Sequence, residues 1–299
     1  MVSCSLLLSS LLTLLVATPP FILFTHISPH RTTPHRPSSP FPGPSRVLLP
    51  HFPSSSSSPS SHSIHRPIDF GADLVCHSTT KLLSGHGNAL GGCIVDSGKF
   101  DWGADPEKFP SLGQPEPAYN NITFAESFGD LAFTTFAHAV GLRDLGCTMA
   151  PLHAYLTLNA IETLPLRMEK HVSNTKVVAE WLSTHPKVAW VSYSGLHDSP
   201  HRACAEKYTP RGAGSMFTIG LKGGYEAGVR AVERCELFSH LANIGDTRSL
   251  ILHPASTTHG QLTPEQRAQA GAGDDTLRIS IGLEDPKDLM KDLDYAMSE

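Results

Sequence analysis

From residue 72 onward, short apolar runs alternate with longer stretches of helical period. Apolar or alternating runs predict strands over residues 73–77, 92–96, 188–193, 215–221, 249–253 and 277–281. Helical spacing predicts helices over 124–147, 225–238, 264–269 and 286–297, and one running from 152 towards 181. Pro151 suits the first turn of that long helix, and Pro165 bends or interrupts it. Gly113-Gln114-Pro115 and Pro117 mark the loop before the first helix. Strands that alternate with helices in this way predict an α/β fold.

The first 65 residues follow a different pattern. The apolar run 6–24 is interrupted by Ser9, Ser10, Thr13, Thr18, Pro19 and Pro20. Its segment 11–17 has the length of a signal-peptide core, yet nothing basic precedes it. The prolines and the short length argue against a spanning helix. Residues 28–67 are rich in Pro, Ser and His, with an unbroken serine run at 54–58, and are expected to be disordered because they offer too little apolar area to offset ordering entropy. His30, His35, His51, His62 and His65 show no ligand spacing, so no metal site is expected there.

Charge and cysteine usage narrow the partners. The chain of 299 residues carries a net charge of −5. Arg31, Arg36 and Arg46 are the only charged residues before Arg66; taking them from the 23 basic residues leaves 20 against 28 acids, a net −8 downstream. That balance disfavours nucleic acid and anionic membranes. The six cysteines, at 4, 76, 93, 147, 204 and 235, form no CxxC, which points to a reducing compartment rather than a disulfide framework.

Candidate chemistry concentrates in His77-Ser-Thr-Thr-Lys81-Leu-Leu-Ser-Gly-His-Gly87. A lysine after a buried strand end can form a Schiff base with a carbonyl cofactor, and neighbouring hydroxyls can hold its phosphate. The competing expectation is a surface lysine in a polar turn. Arg278 stands among apolar residues in a strand-like run, where a buried guanidinium needs an anion. That anion is either a bound carboxylate or a structural partner among Glu284, Asp285 and Asp275. His197 and His201 have i, i+4 spacing, but Asp198-Ser199-Pro200 breaks the helix a zinc site would need. Asp101, Asp105 and Glu107 read as a solvated acidic loop.

Seven phrases occur in one order: RPIDFGADLVCHSTTK, GGCIVDSGKFDW, FGDLAFTTFAHAVGLRDLG, LTLNAIETLPLR, WVSYSGL, LANIGDTRSLILHPASTTH and LRISIGLED. On them, residues 66–299 resemble the C-terminal part of the O-acetylhomoserine sulfhydrylases, in the Cys/Met-metabolism family of pyridoxal 5'-phosphate (PLP) enzymes. The resemblance implies a type I PLP-dependent transferase fold with a truncated large domain over 66–165 and a smaller C-terminal α/β domain over 166–299. Residues 1–65 stand outside it. It implies that Lys81 holds PLP, that Ser78 and Thr80 contact the cofactor phosphate, and that Arg278, helped by Asn243, binds a substrate carboxylate. The implied reaction replaces the acetoxy group of O-acetylhomoserine by sulfide to give homocysteine, a step of methionine and cysteine biosynthesis. It also implies a homo-oligomer; the cysteine usage places it in the cytoplasm, although the N-terminal apolar run leaves a secretory alternative.

Family members supply a glycine-containing phosphate loop, a ring stacked on the cofactor and an aspartate near its pyridine nitrogen, all upstream of the lysine. This sequence carries the serine run there instead. The alternative expectation is therefore a non-catalytic remnant, in which residues 66–150 leave unpaired sheet edges and pack poorly alone while the C-terminal domain folds independently.

Overall fold

A computed structural model describes residues 65–298 and the backbone of two strands further upstream, β1 (Ile22–His26) and β2 (Val47–Leu48). The rest of the apolar run 6–24, most of the tract 28–67 and four of its five histidines lie outside the described residues. Contacts divide the chain into two compact units: Met1–Leu49, Pro67–Ser78 and Leu90–Tyr155 in one, Pro50–Arg66, Thr79–Ala89 and Leu156–Glu299 in the other.

The first unit contains a four-stranded sheet of order β1-β4-β3-β2, with β3 at Leu74–Ser78 and β4 at Gly92–Asp96. β3 and β4 pair antiparallel; β1 runs parallel to β4, and β2 parallel to β3. The edges expected to stand open after residue 66 are thus covered by two upstream segments. Val47–Leu48 is the one part of the tract 28–64 among the described residues, and its short extended backbone pairs with the row of groups that β3 offers.

Trp102, Leu112 and Phe124 are buried with Leu74 and Ala132, and Phe100, Phe109, Phe133 and Phe136 pack against them. The rings of Trp102 and Phe133 stack with centroids 5.4 Å apart. The single helix expected over 124–147 is broken. α1 (Pro110–Gly113) precedes α2 (Phe124–Phe128), a 3-10 turn at Gly129–Leu131, α3 (Ala132–Phe136) and a π turn at Ala137–Asp144. Gly129 causes the first break: its φ of 53° is left-handed, a conformation glycine adopts without a Cβ penalty.

α4 (Pro151–Glu162) and α5 (Leu164–Ser183) replace the one long helix. Pro165 falls in the first turn of α5, where its missing N–H costs no hydrogen bond.

The second unit is built on a five-stranded sheet of order β5-β6-β9-β8-β7: Val188–Ser192, Met216–Leu221, Thr276–Ser280, Leu250–Leu252 and Ser239–His240. All pairs are antiparallel except β7 with β8. Period-two alternation sends Leu277 and Ile279 into the main apolar cluster and Arg278 to the other face. The cluster is completed by Val178, Ala179 and Leu182 of α5, Ala231 and Val232 of α7 (Gly224–Arg234), and Leu289, Leu293 and Met297 of α9 (Pro286–Met297).

α6 (Arg202–Tyr208) stands where no helix was expected, and α8 (Pro264–Gln269) is closed by a Thr263–Gln266 capping box. α7 stops at Arg234 rather than at 238. Cys235 turns extended, and the buried Asp292 carboxylate accepts the N–H groups of Glu236, Leu237 and Phe238 at 2.9, 3.0 and 3.1 Å.

Candidate active site

Lys81 sits in a helical turn, Thr79–Leu83, that is kinked at the lysine itself, with φ −86° and ψ −134°. The chain passes from the first unit to the second between Ser78, the last residue of β3, and Thr79. The turn is closed by its own backbone: Gly85 N donates to Lys81 O at 2.7 Å and Ser84 N to Thr79 O at 3.0 Å. Gly85 has φ 74°, a left-handed residue that lets the chain leave the turn sharply.

Lys81 is half-buried, and its amine donates to the Oδ1 of Asn243. Burial, and secondly the positive charge of Arg278, holds the Lys81 amine below the usual lysine range. Both effects penalise the ammonium form, so the neutral amine is more available than on an exposed lysine. The structure therefore brings Lys81, Asn243 and Arg278 into one electrostatic neighbourhood within the second unit.

Arg278 is itself half-buried, and desolvation lowers its proton affinity. Its Nε–H donates to the Sδ of Met216 at 3.1 Å, and it forms no ion pair among the described residues. The three structural partners considered from sequence are engaged elsewhere. Glu284 accepts from Ser249 N and Oγ at 2.7 and 2.9 Å. Asp285 caps α9 through Lys287 N, and Asp275 accepts from the Trp190 ring.

Among the hydroxyls, Thr80 is half-buried and its carbonyl accepts from Ser84 Oγ at 3.1 Å. Ser78 belongs to the other unit. Thr79, the middle hydroxyl of the run, is 3 % exposed, and its hydroxyl has no hydrogen-bond partner. A buried hydroxyl left unpaired costs about 1–3 kcal/mol. Thr157 Oγ1 and His171 Nε2 share that condition among the described residues.

These residues fit a carbonyl cofactor that carries an anionic group. An amine with lowered proton affinity can condense with an aldehyde, an unpaired guanidinium can take an anion, and the Thr79 hydroxyl beside the lysine can still donate. No group of three His, Cys, Asp or Glu side chains among the described residues could hold a metal.

A residue with no signal in sequence also bears on the site. Arg167 of α5 is 6 % exposed and donates to Leu82 O at 2.8 Å and Leu83 O at 3.2 Å, the two carbonyls that follow Lys81.

Residues 57–298 match the family model described as Cys/Met metabolism PLP-dependent enzyme. The chain is 48 % identical over 233 residues to O-acetyl-L-homoserine sulfhydrylase 1 of Thermus thermophilus, covering 78 % of this chain and 55 % of that one. It is 44 % identical over 232 residues to homocysteine synthase of Schizosaccharomyces pombe, covering 78 % and 54 %. The chain thus spans about half the length of the curated relatives it matches. Among solved structures, it superimposes with a TM-score of 0.73 and 34 % identity on a Campylobacter jejuni protein described as an O-acetylhomoserine (thiol)-lyase, which carries a pyridoxyl-lysine phosphate. The match covers 78 % of this chain and 56 % of that one.

Proposed function

The chain belongs to the Cys/Met metabolism PLP-dependent enzyme family, and from that membership we propose that it serves the PLP-dependent formation of homocysteine from O-acetylhomoserine and sulfide. The observation that carries this reading is the neighbourhood of Lys81, Asn243 and Arg278: a half-buried amine held by Asn243 and within the influence of a half-buried guanidinium that has no ion pair among the described residues.

Lys81 would hold PLP through its ε-nitrogen, with Ser78 and Thr80 as donors to the phosphate. Bound there, the cofactor would supply an electron sink for carbanion chemistry on an amino acid. The residues of this chain would add binding, orientation and proton transfer. Arg278 offers two parallel N–H donors to an amino-acid α-carboxylate, which fixes the substrate's orientation. Asn243 aims the lysine amine, and a neutral Lys81 can take and return a proton at the substrate carbons, a role that contributes about 10²–10⁴-fold. The Arg278 charge, which after burial lowers the proton affinity of the Lys81 amine, would be compensated when the carboxylate arrives.

The division into a cofactor domain over 66–165 and a small domain over 166–299 is part of the same proposal, as are a homo-oligomer and a reducing, cytoplasmic setting. Cys76, Cys93, Cys147, Cys204 and Cys235 are all unpaired. No helix among the described residues is long and apolar enough to cross a membrane.

The test is borohydride trapping of the purified full chain with PLP, followed by peptide mass spectrometry. The expected pyridoxyl group lies on Lys81, Lys81→Ala loses it, and homocysteine formation falls by at least about 10²-fold. Label scattered over exposed lysines such as Lys176 and Lys287, equal in both proteins, would overturn the reading. A wild-type chain that takes no label leaves the non-catalytic alternative.

A further inference from the structure

α5 carries four buried polar residues on one face, Arg167, His171, Asn174 and Thr175, at the i, i+4, i+7, i+8 spacing of a helical stripe. Such a stripe in the interior calls for an explanation, because each polar group must find a partner there. Thr175 donates to His171 O within the helix at 2.6 Å, and the partners of the other three fall into two sets.

At the N-terminal end, the Arg167 guanidinium holds Leu82 O at 2.8 Å, Leu83 O at 3.2 Å, Ala160 O at 2.9 Å and Thr163 Oγ1 at 3.2 Å. All four acceptors are neutral. Arg167 is therefore a desolvated cation with no counter-ion among its bonds, and burial lowers its proton affinity. A guanidinium kept in such a place acts as a rigid fork of donors rather than as half of an ion pair.

The fork also fills the space beside Gly85. A Cβ built there would lie 2.4 Å from Arg167 Nη1 and 2.9 Å from its Cζ. Gly85 N in turn holds Lys81 O, and Gly85 O accepts from Thr247 N at 2.8 Å. The kinked backbone at Lys81 is thus held on its C-terminal side by residues that Arg167 touches.

One to two turns along the same face, the bonds reach a different segment. His171 Nδ1 contacts Ile281 O at 2.7 Å, and Asn174 Nδ2 donates to Gly282 O at 3.1 Å and Glu284 O at 2.8 Å. Those carbonyls directly follow β9, three to six residues after Arg278. The seven steps from Arg167 to Asn174 span about 10 Å of helix, a length set by the fixed rise per residue.

We propose that Arg167 is a positioning residue for Lys81, and that the stripe Arg167–His171–Asn174 gauges the separation between the Lys81 amine and the Arg278 guanidinium. This rests on the reading above that the two groups receive a cofactor and a carboxylate. α5 grips the turn that carries the amine at one point and the strand end that carries the guanidinium at another. The rigidity of a helix turns two local grips into a defined distance.

The test uses the full chain as Arg167→Met and Arg167→Lys. Arg167→Met keeps the stem and removes every donor; Arg167→Lys keeps the charge and one donor direction. The first readout needs no cofactor: the pH dependence of amine acylation at Lys81, resolved by peptide mass spectrometry, with exposed Lys176 as internal reference. In Arg167→Met, the Lys81 titration is expected to move up towards the usual lysine range, with Arg167→Lys between it and wild type. The second readout is the dissociation constant for PLP, expected to weaken by about tenfold or more in Arg167→Met.

A merely structural role would lower the melting temperature and leave both Lys81 readouts at wild-type values in the folded protein; that result overturns the proposal. If Arg167→Met does not fold, the decision passes to Arg167→Lys and to Thr163→Val, which removes a single acceptor of the fork. Wild-type Lys81 titration in both of those folded variants also overturns it. Failure of the wild type to trap PLP on Lys81 would sink the proposed function instead, and the cofactor-free titration would still decide the role of Arg167.

Discussion

The core around Trp102 and Phe124 and the core beneath β9 are made of different material. In the first unit, rings do most of the filling: Phe100 lies 4.6 Å from Trp102 and Phe124 lies 5.2 Å from Phe136, centroid to centroid. The surrounding helices are short and broken. In the second unit, branched aliphatic residues from four strands meet the apolar faces of α5, α7 and α9. Few large rings give few, irregular contacts, so that removing one leaves a large hole. Many small residues on regular elements spread the same burial over a wider seam. The candidate site reflects the difference, since Lys81, Asn243, Arg278 and Arg167 all stand in the second unit, and Arg278 and Arg167 sit on its regular elements β9 and α5.

Phe124→Ala is expected to give the largest effect, about 3–5 kcal/mol, with Leu277→Ala at about 2–5 kcal/mol. The chain's three tryptophans separate the units, because Trp102 reports on the first and Trp181 and Trp190 on the second. Single-tryptophan variants melted side by side should show Phe124→Ala lowering the Trp102 transition and leaving the others in place. A common shift of both signals would break the comparison.

A smaller effect is expected from Asp292→Asn. Three backbone donors converge on that carboxylate, and charge-assisted bonds contribute about 1.5–3 kcal/mol. Urea unfolding followed at Trp181 or Trp190 should show about 2 kcal/mol lost. An unchanged midpoint would mean that the end of α7 is held by packing alone.

The smallest is a slope. Burial, as the leading cause, depresses His171 below its ordinary value of 6.5. The unfolded chain therefore binds the proton more readily, so the contribution from neutral His171 is present above pH 6.5 and is lost as pH falls through the lowered value. His171→Asn, which can still donate to Ile281 O, should flatten stability against pH in the second unit just below 6.5 and leave the Trp102 transition alone. A wild-type slope that persists in the variant would remove His171 as its source.

The alternation of apolar runs with helical stretches was legible, and it located β3 to β6, β8, β9, α8 and α9 to within a residue or two. Local chemistry was legible as well: a lysine amid hydroxyls before a glycine turn, and an arginine alternating with apolar residues in a strand. These signals survive in one dimension because strand period, capping and turn preference act over a few neighbours. The break at Gly129 was readable in principle, but the apolar pattern on either side of it continues and masked it. Arg167 reads as an ordinary helix former, and Thr79 as one hydroxyl among three. Their meaning arises from carbonyls 84 and 85 residues away and from burial, which no window of sequence contains. Likewise the sequence offered Arg278 three acids as partners, and the fold engaged every one of them elsewhere. Which charges meet is a property of packed elements rather than of spacing, because burial and long-range geometry decide which charges are left without a counter-ion.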